Sequence, residues 1–493
     1  MAAGLKVLFV SSEVAPFAKT GGLADVAGSL PKYLQALGHD VRVVMPKYRQ
    51  VASSGADLKQ TGMTVYCNIV ERTVSANVLE SRLGGSVPIY FIEQDRYFDR
   101  EGLYGTSVGD YEDNAERFIF FSKAVVALCE EMSWQPDVIH CNDWQTGLIP
   151  AYLSILYRDS EFWGRVGTLF TVHNLAYQGQ FWHLDLPMTG LPWDVFTPEG
   201  LEFYGKINLL KSGIVFSHVI NTVSKRYAQE IQSQEMGHGL DGVLRARAAD
   251  LYGVINGVDY SVWSPDADRL LPVTYSAKNP SGKRKCKEAL LRAFNLDVDL
   301  DRPLIGMVGR LVAQKGFDIL AEVIDEIVGS DVSFVLLGTG DERYESMFKN
   351  LHSEFPGRAG VSIAFDNKTA HLIEAGSDIF LMPSRYEPCG LNQLYSLRYG
   401  TVPVVRATGG LDDTIEDYDE THGTGTGFKF EPYTGDALLA CVRRAMEIYK
   451  DKKAWSSIVG RGMAADFSWD RAAKEYEKLY RKALSKMGRG VPV

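Results

Sequence analysis

Short apolar runs alternate with stretches whose apolar residues recur at helical spacing along most of the chain. LKVLFVSS at 5–12 predicts a strand. Leu23, Val26, Leu30, Leu34 and Leu37 predict one face of a helix, and VRVVM at 41–45 a second strand. Strand, helix and strand in that order make a right-handed parallel unit. Further strands are predicted at 64–70, 87–93, 137–140, 167–172 and 218–223, with helices at 113–131, 145–157 and 225–235. Residues 95–113, rich in Gly, Asp and Tyr, have no period and read as a functional surface loop. Between 260 and 302 the composition shifts to Asp, Pro, Ser and Lys, which reads as a linker or domain boundary. A second series follows: a strand at 303–309, a helix from Gly316, a strand at 333–340, a helix from Glu342, a strand at 361–365 and a helix at 369–375. IFLM at 379–382, closed by Pro383, predicts a buried strand. After an irregular loop a helix is expected from Gly390, carrying Leu391, Leu394, Tyr395 and Leu397; Gly400 stops it before the strand VPVV. Helical patterns at 435–449 and 470–486 end the chain. The fold class is α/β, with two Rossmann-like doubly wound halves about a middle break.

The chain has 493 residues, 45% hydrophobic and 23% charged, which suits two or more globular domains. A net charge of -10 argues against nucleic acid or an acidic membrane as the main partner, since both need a basic footprint; a neutral glucan is compatible. No apolar run reaches membrane-spanning length, and strand-like sequence begins by Lys6, leaving no room for a targeting peptide; a cytoplasmic protein is expected. The six cysteines are scattered, with no Cys/His grouping at metal spacing, and read as reduced thiols without structural zinc.

Candidate chemistry gathers at predicted strand ends. In such sheets those loops meet helix N-termini, where unpaired N–H groups favour an anion. Lys19 with Gly21 and Gly22 follows the first strand; the glycines allow close backbone approach and the lysine adds a cation, although a tight turn with a solvated lysine fits equally. Asp143 stands between a strand and a helix, where an N-cap is the plain reading. His173 ends another strand, where a lone histidine is more often structural, and Asn256-Gly257 is a turn signal. Arg310 and Lys315 follow the first strand of the second half; each alone suits a solvated loop, and the two together with an open helix N-terminus at Gly390 favour a diphosphate. A carboxylate beside that anion would be unfavourable, so Glu387 reads as facing a centre that becomes positive. GHGLDG at 237–242 matches a dinucleotide fingerprint but follows a helical stretch and is read as a loop and cap.

In order, KTGGLADVAGSLPKYL, HNLAYQG, INGVD, GRLVAQKG, SRYEPCGLNQL and TGGLDDTI closely resemble the bacterial glycogen synthase and plant starch synthase family, over nearly the whole chain. The resemblance implies a GT-B architecture of two Rossmann-like domains facing across a deep cleft. It implies an N-terminal domain at 1–258, a nucleotide-sugar domain at 259–468, and a terminal helix at 469–493 crossing back to the first. The implied reaction is transfer of glucose, usually from ADP-glucose, to the non-reducing end of an α-1,4-glucan with retention, without a metal or other cofactor. By the same resemblance Glu387, His173 and Asp143 are catalytic candidates. Lys19, Gly21, Gly22 and Asp25 of one motif, Arg310 and Lys315 of another, and Cys389, Gly390 and Leu391 of a third bind substrate. Asn256 lines the glucose pocket, and Tyr104 contacts donor or acceptor. Where many members read His-Asp-Trp-His, this chain has Asn142-Asp143-Trp144-Gln145. Two other readings use the same motifs: a sugar-nucleotide epimerase on this scaffold, and a catalytically silent glucan-binding protein.

Overall fold

A computed structural model describes residues 4–488. The expected segments 1–258 and 469–493 therefore extend at their outer ends, 1–3 and 489–493, beyond the described residues. By contacts the chain forms two compact units: one runs to Val223 and includes Ala228–Gly257 and the chain from Trp469; the other takes Ser224–Tyr227 and Val258–Ser468.

The first unit is built on a nine-stranded sheet. In chain order its strands are β1 (Lys6–Val10), β2 (Asp40–Pro46), β3 (Lys59–Ile69), β4 (Arg72–Leu83), β5 (Val87–Glu93), β6 (Val138–Asn142), β7 (Gly167–Val172), β8 (Val219–Thr222) and β9 (Leu251–Gly253). They lie in the order β9-β8-β7-β6-β1-β2-β5-β4-β3. From β9 to β5 neighbours are parallel, and the β3–β4 and β4–β5 pairs are antiparallel. Val7, Leu8, Phe9 and Val10 are fully buried, as a central strand covered on both faces requires. Helix α1 (Gly22–Ala36) follows β1, and α2 (Asn114–Glu131) precedes β6. The second unit holds β10 (Leu304–Val308), β11 (Ser333–Leu337), β12 (Ala359–Ser362), β13 (Ile379–Met382), β14 (Val402–Arg406) and β15 (Phe428–Phe430), ordered β12-β11-β10-β13-β14-β15, all parallel. This is the doubly wound order, in which the winding reverses between the first and fourth strands.

That reversal places the loops. In the first unit it lies between β1 and β6, in the second between β10 and β13, so in each unit the loops leaving those two strands at their carboxyl ends flank that sheet's own crevice, where such sheets take ligands. Of the candidate site residues, all but Asn256, Tyr104 and His173 follow one of these four strands.

Several expectations are corrected. Residues 260–302 are not a plain linker: α3 (Ser281–Ala293) lies within them, its Leu290 and Leu291 fully buried against Leu304 and Phe380. Its basic outer face disguised a helix whose inner face is apolar. Residues 95–113 are not featureless either, since Asp95–Phe98 is helical and Gly105–Thr106 pairs with Gly109–Asp110. Tyr97, Phe98 and Leu103 anchor that segment in the interior. The helix expected at 145–157 breaks into three short turns, Trp144–Thr146, Leu148–Ala151 and Tyr152–Leu156, around Pro150. The strand at 64–70 is half of an edge hairpin whose other strand, β4, has polar and small residues that hid it.

The last helix, α5 (Trp469–Lys486), packs on the first unit's sheet. Tyr480 OH meets His140 Nδ1 at 2.9 Å, and Asn221 Nδ2 donates to Tyr476 OH at 3.2 Å. A Cβ on Gly167 would sit 3.3 Å from the Ala483 side chain, so the helix lies close against that strand.

Candidate active site

In the first unit the loop between β1 and α1 closes around Glu13, a buried carboxylate that sequence reasoning passed over. Its oxygens accept from Thr20 N (2.6 Å), Thr20 Oγ1 (2.6 Å), Gly21 N (3.1 Å) and Tyr104 OH (2.8 Å). Tyr104 also shares a hydrogen bond with Ser12 Oγ at 2.8 Å, and its phenol is pushed well up by burial and then by Glu13. Glu13 thus fixes the Lys19–Gly22 turn and joins it to the 95–113 segment. Only its place just after the first strand could have marked it. Gly21 and Gly22 are exposed, and a Cβ on either would touch nothing, so open space adjoins them. Lys19 Nζ grips Asp25 at 2.7 and 2.8 Å, so the two motif residues form one ion pair rather than a lone cation. Burial raises the Asp25 carboxyl, and Lys19 opposes that shift.

At the ends of β6 and β7, Asn142, Asp143 and His173 form one network. The N-cap reading of Asp143 is corrected: its side chain caps no helix and accepts instead from His173 N at 2.7 Å, while its own backbone takes φ 55°. Burial pushes its carboxyl up to about 7, against the lowering effect of the His173 and Asn174 amides. Asn142 is fully buried, and its NH₂ group donates to Val10 O (3.0 Å) and His140 O (3.4 Å). Its Oδ1 must therefore be the atom that meets His173 Nε2 at 2.9 Å, which puts the ring proton on Nε2 and leaves Nδ1 with a lone pair. Burial pushes the His173 imidazole down to about 3, so it is a neutral ring with a fixed tautomer. Asn142, one of the two residues by which this chain departs from His-Asp-Trp-His, thus takes on that orienting contact. Asn256, three residues beyond β9, is buried, and its Oδ1 has no hydrogen-bond partner among the described residues. A buried acceptor left unmatched is uncommon and costs free energy unless something else supplies a donor.

Asp143 has a consequence for stability. Its unfolded carboxyl titrates near 4, so between about 4 and 7 the native state keeps a proton that the unfolded chain has released. Its contribution to stability therefore falls as pH rises through that window. Asp143→Asn, which can still accept from His173 N, is expected to melt about 2–4 °C above the parent at pH 8. The gain should shrink steadily as pH is lowered toward 4. Thermal melts at pH 8, 6 and 4 check this, and an equal or lower midpoint at pH 8 contradicts it.

In the second unit, Arg310 and Lys315 leave β10, and Ser384 to Leu391 leave β13. Lys315 Nζ meets Glu387 Oε2 at 2.6 Å, and Ser384 Oγ donates to the same oxygen at 3.0 Å. Glu387, nearly buried, therefore does not stand as an unbalanced charge: the lysine expected to hold an anion already neutralises it. Arg310 is exposed and pairs with no carboxylate among the described residues. Gly316, at φ 81°, brings the loop against β13, where a Cβ would lie 2.0 Å from Pro383 O. The helix after Glu387, α4 (Asn392–Tyr399), begins two residues later than expected, because Gly390 takes φ 73° and Leu391 stands as its N-cap. No side chain caps it; the Leu394 amide donates to Leu391 O at 2.9 Å, and the Asn392 and Gln393 amides keep their hydrogen-bonding capacity for an anion. Cys389 is buried and its carbonyl accepts from Gln393 Nε2 at 3.0 Å, which makes it a support of the loop. Asn392 Nδ2 donates to Val308 O at 2.8 Å and ties this helix to the end of β10.

Asp268 binds His371 and Tyr399, and Asp417 binds Arg444 and the Lys429 amide, so both carboxylates hold the second unit together. All six cysteines are buried and unbridged. No helix among the described residues is long and apolar enough to cross a membrane.

Two doubly wound units whose switch-point loops carry cations and an uncapped helix start, with a neutral histidine at the end of β7, fit a glycosyltransferase of the GT-B class. The family profiles agree: residues 6–246 match the starch synthase catalytic domain and 292–459 the glycosyl transferases group 1. The chain is 49% identical over 479 residues to a glycogen synthase of Koribacter versatilis, covering 97% of this chain and 98% of that one. It is 48% identical over 491 residues to one of Thermotoga maritima, covering 98% and 100%. Among solved structures, the catalytic domain of starch synthase IV from Arabidopsis thaliana, bound to ADP and acarbose, matches with TM-score 0.90, 32% identity, and 98% and 100% coverage. Sucrose-phosphate synthase from Thermosynechococcus elongatus, 16% identical with TM-score 0.59, shares the fold alone. The chain belongs to the glycogen synthase and starch synthase family and is an enzyme.

Proposed function

We propose that the enzyme transfers glucose from ADP-glucose to the non-reducing end of an α-1,4-glucan with retention at the anomeric carbon, using no metal. The observation that carries this is the loop pair in the second unit, where Lys315, Arg310 and the uncapped start of α4 offer charge and amides to a diphosphate, with Glu387 at the same lysine. The ADP held by the similar starch synthase favours an adenine donor over a uridine one.

In the reaction the bond between C1 and the β-phosphate oxygen breaks, and its electron pair leaves with the diphosphate. Arg310, Lys315 and the amides of α4 meet that growing charge, which preorganised donors stabilise without reorganising at the moment of reaction. An acceptor hydroxyl attacks C1 from the face the diphosphate leaves, and its proton passes to the departing phosphate oxygen. Glu387 acts as an electrostatic stabiliser of the positive sugar ring, and Lys315, held by it, is aimed before the donor arrives. The His173 Nδ1 lone pair and Asn256 Oδ1 are acceptors suited to hexose hydroxyls. Neutral His173 suits this work, because an imidazolium would repel a positive ring.

ADP-glucose and UDP-glucose, offered with and without glycogen, test the reading. Acceptor-dependent ADP release, chain growth resistant to EDTA, and α-configured product support it. Inversion, loss of activity with EDTA, or release only from UDP-glucose contradicts it.

A further inference from the structure

The segment after β7 exposes an unusual amount of aromatic surface. Of thirteen exposed large hydrophobic side chains among the described residues, Tyr177, Trp182, Leu184, Trp193 and Tyr204 fall within it. Trp182 and Trp193 are 61% and 51% exposed, whereas every other tryptophan is buried or half-buried. Rings run in series: Trp182 to His183 at 5.7 Å, His183 to Phe196 at 5.9 Å, and Phe196 to Trp193 at 5.9 Å between centroids. His183 Nδ1 meets Gly205 O at 3.2 Å and so joins this series to the turn that carries Tyr204.

That turn is itself informative. Glu202–Phe203 and Lys206–Asn208 pair as a hairpin across Tyr204 and Gly205, both left-handed at φ 49° and 77°. Asn-Gly is the ordinary choice for such a turn, and a bulky ring at the left-handed position is strained. The ring thus held out is 82% exposed. The backbone beneath is pinned: buried Lys211 donates to Pro198 O at 2.6 Å and also to Glu202 O, while Asn208 Nδ2 donates to Gln178 Oε1 at 2.8 Å. The rings are therefore presented on a fixed support rather than left on a loose loop.

We propose that Trp182, Trp193 and Tyr204 form a docking platform for a neutral α-glucan, which holds the polymer whose end is extended; this rests on the acceptor reading above. A pyranose has an apolar C–H face that packs on an aromatic ring and a hydroxyl rim that needs polar neighbours. The exposed charges from 180 to 206 are Asp194, Glu199 and Lys206, net negative, which disfavours an anionic polymer and leaves hydroxyl partners beside the rings. The rings form a line of aromatic contacts, with Asp194, Glu199 and Lys206 falling among them in the sequence, rather than the broad apolar core of a protein interface.

The test separates binding from turnover. Trp182→Ala/Tyr204→Ala is expected to weaken retardation in native gels containing glycogen by about tenfold in apparent Kd. Its kcat and KM with maltotriose as acceptor should stay within about twofold of the parent. Tyr204→Asn removes a ring while better suiting the left-handed turn, so it should fold and still lose glycogen affinity; Trp182→Tyr should keep it. Unchanged retardation in the double variant and in Tyr204→Asn, or an equal rise in KM for maltotriose, overturns the platform. If instead the parent is retarded by glycogen but extends no acceptor, it is the reading of the reaction that fails, and the gel comparison still decides the platform.

Discussion

Glu387→Gln is expected to lower turnover by about 10³-fold while changing donor affinity by no more than about threefold. The carboxylate is nearly buried, accepts from Lys315 at 2.6 Å and Ser384 at 3.0 Å, and sits between the end of β13 and the start of α4. Glutamine keeps the shape and can still accept from Ser384, so the loop should survive. What disappears is negative charge that lowers the energy of a positive sugar ring, an interaction realised chiefly in the transition state. Releasing Lys315 from its ion pair makes that cation more available to a diphosphate, so binding should not weaken. Single-turnover rates and donor titrations on the variant separate the two effects. Turnover within tenfold of the parent would remove Glu387 from the chemistry.

Much of the fold was legible because central parallel strands are covered on both faces. KVLFV, LIGMV and IFLM therefore read as unbroken apolar runs with little room for another assignment. The periphery was not, since β4, next to the edge strand, mixes polar and small residues with its few apolar ones, and α3 turns a lysine-rich face outward over Leu290 and Leu291. The candidate site divides along the same line. Positions were legible, because loops after strands at a winding reversal are where doubly wound sheets take ligands. Pairings were not, for they join residues far apart in the chain: Lys315 with Glu387, Tyr104 with Glu13, His173 with Asn142. A sequence lists cations and carboxylates separately, and only the fold shows that both Lys19 and Lys315 are partly neutralised at home. Asn142 illustrates the point best, since it reads as a lost histidine and turns out to set the tautomer of His173, which follows a different strand.

Lys315→Ala is expected to lower kcat/KM for the donor by about 10³-fold, and its effect should not add to that of Glu387→Gln. Removing the lysine does two things: it takes a cation from the diphosphate, and it leaves a nearly buried carboxylate without its partner beside an incoming anion. The second penalty disappears once residue 387 is uncharged. Lys315→Ala/Glu387→Gln should therefore lose about 10⁴-fold, far less than the 10⁶-fold of independent effects, a coupling of roughly 3 kcal/mol. Arg310→Ala supplies the contrast. Arg310 leaves the same strand but pairs with no carboxylate among the described residues, so its loss should combine additively with that of Glu387. Measuring kcat/KM across both cycles decides the matter, because equal coupling in the two would mean that Glu387 senses any nearby cation rather than Lys315 through the 2.6 Å contact.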